Sequence, residues 1–273
     1  MEKNYRIPLI MDFLKDLALH NERPWFQENK ARYEEVKKTF EELTNELIVH
    51  IATFDDSVKN LSSNDCIYRI YRDVRFSHDK SPYKQHFGCF INSRGKNSLH
   101  GGYYFHLQPH ESMLGGGCWC LPTKILNVVR QTIVDQEQIF TKIVEEPEFK
   151  KLYQQVTYDP LKTIPRGMPK DFTHPEYIKC RNYCVGTKLE DSFFDENNWI
   201  DETIKRFKLM VKLTPFTVST EYFLVLLLEC TSLYVVEVVK RTASHQGCLH
   251  TSLLKKPQTL SSSGSPLLLL LNR

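Results

Sequence analysis

Apolar side chains at Ile10, Phe13, Leu14, Leu17 and Ala18 recur at steps of three and four, the spacing of a helix that buries one face. The pattern stops near His20 and Asn21. A second, longer helix is expected from Pro24, whose missing N–H costs nothing in a first turn, with Asn21 or a neighbour as its cap. Its apolar stripe is Tyr33, Val36, Phe40, Leu43, Leu47 and Ile51, while Lys37, Lys38, Glu41 and Glu42 make a solvated face. From Cys66 the period changes. Residues 66–72, 87–92, 102–108 and 113–120 are short aromatic or β-branched runs between polar, Gly-containing turns, which predicts strands of one mostly antiparallel sheet. Pro122 then opens a helix with Ile125, Val128, Val129 and Thr132 on one face, followed by helical pieces at 138–144 and 147–156. Pro160, Pro165, Gly167, Pro169 and Pro175 mark a long irregular connection. A short strand over 183–188 and an amphipathic helix on Ile200, Ile204, Phe207 and Val211 complete the body. The fold class is α+β, a central sheet flanked by N-terminal and C-terminal helices.

The pattern divides the chain at Phe216. Residues 1–216 are expected to form a single α+β domain. Residues 217–273 hold fourteen Leu and no Asp, with serines at 261–263 and 265 and a final leucine run over 267–271. This leucine-rich, low-complexity tail resembles a shifted reading frame or a read-through more than an evolved domain. Deleting it is expected to leave the fold intact and to reduce aggregation.

With 273 residues, 41% of them hydrophobic and 25% charged, the chain can bury a core, which excludes a disulfide-stapled miniprotein and a disordered chain. Met1 to Arg6 carries charge of both signs, which is no secretory signal, and the apolar stretch 222–239 is broken by Glu229 and Glu237. A cytosolic protein with no membrane span is expected, its eight cysteines free thiols. The net charge of +3 is too small to declare a nucleic-acid binder.

The placement of that charge is more informative. Between residues 66 and 86, Arg69, Arg72, Arg75, Lys80 and Lys84 face only Asp73 and Asp79, an excess equal to that of the whole chain. A strand end and a turn at Pro82 can gather these groups on one rim, and guanidinium groups are the usual partners of phosphate or carboxylate oxygens. Two readings stand side by side: an anion site, and a structural network in which the aspartates hold the cations in shape. His86 and His106 lie on or beside expected strands, and His106 alternates with Phe105 and Leu107, so it points away from their face. Each is either a satisfied structural histidine or a general base beside the rim, with Asp73 as a third candidate for proton handling. Cys118 and Cys120, two apart on one strand face, and Cys180 and Cys184 make a poor zinc set, because the first pair has only one residue between its members. No metal or cofactor is called for. Gly115, Gly116 and Gly117 lack the Gly-Lys-Ser/Thr of a phosphate loop, yet they permit close backbone approach and room for a ligand beside Trp119.

Together these motifs carry a resemblance. Asn21, Trp25, Phe26, Asn29, Lys30 and Tyr33 come first, then the block from Arg69 to Lys84 with Phe87 and Gly88. Gly102 to Leu107, Leu114 to Trp119 and Pro122 follow, and a later piece holds Pro165, Arg166, Gly167, Asp171, His174 and Pro175. In order and spacing the chain resembles the domain of unknown function 2461 (DUF2461) family over about residues 9–216, with His78 where that pattern more often has Lys. The resemblance implies a single α+β cytosolic domain and brings no reaction with it. The residues themselves support a cationic rim for a phosphate- or carboxylate-bearing small molecule, and a hydrolase or transferase if chemistry follows. The alternatives are a non-catalytic module for nucleic acid or an acidic protein surface, and charges that only satisfy one another.

Overall fold

A computed structural model describes residues 7–153 and 157–216. The leucine-rich tail therefore lies outside the described residues. Helix α1 (Ile7–Leu19) buries Ile10, Phe13, Leu14 and Leu17 of the predicted stripe and leaves Ala18 exposed at its end. The longer helix is two: α2 (Arg23–Glu28) and α3 (Lys30–Ala52). They part at Asn29, whose side-chain amide donates to the Trp25 carbonyl at 2.9 Å, the local competition with helical bonding to which Asn is prone. Asn21 does not cap. Its amide nitrogen donates to the Tyr83 carbonyl at 3.0 Å and its oxygen accepts from the Tyr83 N–H at 3.1 Å, pinning the distant rim segment to the α1–α2 turn. Phe26 stacks on Tyr83 with ring centroids 4.0 Å apart, so the tie is packed as well as bonded.

The short α4 (Ser63–Cys66) takes the beginning of the first expected strand. Residues 67–72 join the sheet only through single bridges, Ile67 to Cys89 and Tyr71 to Tyr83, with a bend at Ile70 between them. The regular strands are β1 (Phe87–Ile91), β2 (Gly102–Leu107), β3 (Met113–Cys118), β4 (Thr157–Tyr158) and β5 (Asn182–Lys188), antiparallel throughout in the order β1-β2-β3-β5-β4. The architecture is α+β. Between β3 and β5 run α5 (Thr123–Asp135), α6 (Glu137–Val144), α7 (Pro147–Leu152) and α8 (Pro175–Ile178), and α9 (Trp199–Met210) follows β5.

One face of the sheet, with Phe87, Cys89, Ile91, Tyr103, Phe105 and Leu107, is buried against α3 and α9. Phe40 of α3 meets Phe87 at 5.2 Å and Phe105 at 6.2 Å, and Phe207 of α9 meets Tyr103 at 5.4 Å. Helix α9 approaches closely because Gly116 has no side chain: a Cβ there would stand 2.7 Å from the Met210 sulfur. By register the other face carries Gly88 and Phe90 of β1, Tyr104 and His106 of β2, Met113, Gly115 and Gly117 of β3, and Cys184 and Gly186 of β5. Four glycines among these nine positions leave that face hollow. Cys118 and Cys120 do not share a face. Cys120 sits at φ 55°, which ends the strand pattern and leaves it exposed while Cys118 is buried. Among the described residues no three His, Cys, Asp or Glu side chains converge as a metal site, and no helix is long and apolar enough to cross a membrane.

Candidate functional site

The glycine-floored face forms a cleft of about 670 Å³ with Gly115, Gly117 and Gly186 in its floor and Tyr68, Phe90, Tyr104 and Trp119 around it. That volume falls within the range of small-molecule sites. Trp119 is 59% exposed at the wall, so the room expected beside it is present. The loop after β1 supplies the far wall through Lys96 to His100. Cys184 borders the cleft, but burial pushes its thiol up to about 12, which leaves it protonated and a poor nucleophile at neutral pH.

On the β1–β2 side the cleft continues into a polar relay. The Tyr104 hydroxyl lies 2.8 Å from His106 Nδ1, and His106 Nε2 lies 3.1 Å from Gln108 Oε1. If Nε2–H donates to the Gln108 oxygen, Nδ1 is left to accept from the tyrosine; this tautomer is assigned from the bonding pattern. His86 packs on His106 with ring centroids 4.2 Å apart. Burial, with His106 and Lys84 alongside, pulls the His86 pKa down to about 4, and burial likewise lowers that of His106. Both imidazoles are neutral at pH 7. Burial holds the Tyr104 phenol up at about 12, so it remains a donor.

Lys84 links this relay to the rim. Its ammonium stands 5.4 Å from the centroid of the Tyr68 ring, which lines the cleft, and its pKa is lowered by burial and by the neighbouring Arg69. Among the described residues neither Lys84 nor Arg69 has a carboxylate within ion-pair distance. The remaining rim residues satisfy one another. Arg72 binds Asp79 and donates to the Ser81 carbonyl at 3.1 Å, and Asp79 accepts from the Ser81 N–H and hydroxyl. Asp73 accepts from Arg75 through both oxygens, which holds its carboxyl down at about 2, and Lys80 donates to the Val74 carbonyl at 3.0 Å. The five cations thus divide. Arg72, Arg75 and Lys80 shape the loop, whereas Arg69, which helps to lower Asp73 only through space, and Lys84 form no direct ion pair among the described residues. Asp73 is engaged by Arg75 rather than by either imidazole, and an acid that strong is a weak base.

The chain matches a family of conserved hypothetical proteins, DUF2461, over residues 9–216, from α1 to the turn after α9. It belongs to the DUF2461 family. No curated protein and no solved structure matches it. In this DUF2461 domain Tyr104 from the Gly102 to Leu107 motif and Gly115 to Gly117 with Trp119 from the Leu114 to Trp119 motif line the cleft, whereas the Arg69 to Lys84 block lies outside its lining and meets it where the Lys84 ammonium stands beside the Tyr68 ring. Tyr104 and Tyr68 were not singled out from the sequence. Tyr104 was within reach, since a residue two positions before His106 on a strand shares its face. Nothing in the local pattern marks Lys96 to His100 as a wall, because that loop is placed by the β1–β2 connection.

Proposed function

We propose that this protein binds a small anionic ligand, phosphate- or carboxylate-bearing, in the cleft on the glycine-floored face. Arg69 and Lys84 draw the charged end, and Tyr68, Tyr104 and Trp119 enclose a flat body. Lys84 carries this reading: holding a half-buried ammonium beside a guanidinium with no counter-ion costs free energy that a bound anion would return. The six free cysteines among the described residues suit a cytosolic setting.

Thermal-shift screening against nucleotides, sugar phosphates and carboxylates, followed by titration of the best probe, tests the proposal. Lys84→Met should weaken that probe by about tenfold or more while leaving the melting temperature unchanged or raised, since repulsion from Arg69 is relieved. Gly186→Leu should abolish binding with the fold retained, because its Cβ first meets the flexible end of Met113 at 3.2 Å and the rest of the side chain enters the cleft. A probe bound equally well by both variants, or no probe that binds saturably, overturns the reading. Steep weakening with added salt and a preference for polynucleotides would favour the nucleic-acid alternative.

The Tyr104–His106–Gln108 relay favours a second reading, hydrolysis or transfer at the bound anion with the Tyr104 hydroxyl as donor. Tyr104→Phe would then lower kcat on the substrate while KM moves little.

A further inference from the structure

A second cavity, of about 710 Å³, lies between the first turn of α5, the 159–166 connection and the start of β5, and it shares no lining residue with the sheet-face cleft. Arg130 of α5 borders it and is only 3% exposed. Its guanidinium cannot be deprotonated in a protein, so it is a buried positive charge. Its partners are neutral: Nη1 donates to Asn127 Oδ1 at 2.8 Å, Nη2 to the Cys180 carbonyl at 2.6 Å, and the Tyr183 hydroxyl, held protonated by burial, also interacts with the guanidinium. The Nε–H is buried with no acceptor. Among the described residues no carboxylate pairs with Arg130, an arrangement that is costly unless a counter-charge arrives from outside.

Two more arginines line the same cavity. Arg166 belongs to the Pro165-Arg166-Gly167 motif that the sheet-face cleft leaves unused, and Arg181 precedes β5. Both are exposed, and neither forms an ion pair among the described residues. The single carboxylate in the lining, Asp159, already accepts from the Asn182 amide at 2.9 Å. Three arginines against one occupied carboxylate leave an excess matched to a dianion. The first turn of α5 adds its N-terminal N–H groups on the same side, since no side chain caps them.

We infer that this cavity is a second ligand site, for a phosphate group, with Arg130 as its buried anchor and Arg166 and Arg181 as outer clamps. Planar, forked guanidinium groups suit phosphate oxygens better than point charges do. The volume beyond the arginines is enough for the body of a small phosphomonoester.

Calorimetric titration of the full chain with inorganic phosphate and with glucose 6-phosphate, using glucose as the uncharged control, tests the site. Because Arg130 is buried in the core, Arg166→Gln and Arg181→Gln are the decisive variants, with melting temperature in phosphate-free buffer confirming that each is folded. Saturable phosphate binding that drops about tenfold or more in the double variant and survives Lys84→Met supports the site. Tighter binding of glucose 6-phosphate than of phosphate identifies a phosphomonoester as the ligand, and the reverse identifies free phosphate. Binding that is unchanged in the double variant, that is lost in Lys84→Met instead, or that never saturates overturns the inference. The Lys84 arm separates this site from the sheet-face cleft, so either can fail without the other.

Discussion

Gly117→Ala is expected to destabilise the protein by about 3–5 kcal/mol, read as a lower urea midpoint with an unchanged slope. Two independent causes add. Gly117 stands at φ 105°, where an L side chain is strained, and a Cβ there would lie 2.4 Å from the Tyr183 carbonyl oxygen and 2.8 Å from the Cys184 Cα. Both obstacles are backbone of β5, so the β3–β5 ladder itself would have to open. Gly186→Ala provides the contrast from the same floor. Its nearest neighbour is the methyl end of Met113, and relaxation there should hold the cost under about 1 kcal/mol. Equal midpoints for the two variants would mean that β3 and β5 do not pair in the register Gly117 to Cys184.

That contrast shows why part of the site was legible in the sequence and part was not. Gly115 to Gly117 stand out as a run with no side chains, and close backbone approach follows from that alone. Whether each glycine answers a helix, a strand or a ligand depends on the face it presents, and register decides it: Gly116 meets Met210, Gly117 meets the backbone of β5 at Tyr183, and Gly115 lies in the cleft floor beside Tyr104. His106 was readable as outward-facing because alternation with Phe105 and Leu107 is local. Its partner His86 was not, since their stacking depends on β1 pairing with β2. Charge reads least well of all. Arg69 to Lys84 form one cluster in the sequence, but the loop separates three cations with partners from two without, and only the turn geometry around Ser81 and Val74 makes that division. Asp79 is exposed, so Arg72→Met should move the melting temperature little.

The half-buried histidines make the fold sensitive to acid. His86 has its pKa pulled from 6.5 to about 4, chiefly by burial, and His106 and His100 shift in the same direction for the same reason. In each case the folded state binds fewer protons than the unfolded chain. Stability is therefore complete above about pH 6.5 and is lost as the pH falls through that value toward 4. For His86 the loss is about 1–2 kcal/mol, after allowance for its partial exposure. The charged groups facing it act together: Lys84 on its own strand segment and His106 on β2 both oppose a proton on His86, and Glu111 favours one on His106. His86→Gln, which keeps a polar group of similar size but cannot titrate, should flatten the fall in urea midpoint between pH 6.5 and 4. A variant whose midpoint follows the parent's over that interval would remove His86 as the cause. An anion held beside Lys84 should act in the opposite sense, because it offsets one of the charges that add to burial in opposing a proton on His86. A carboxylate ligand of the sheet-face cleft would therefore bind with proton uptake and tighten as the pH falls from 7 toward 5, whereas a phosphate in either site would weaken as its second proton returns.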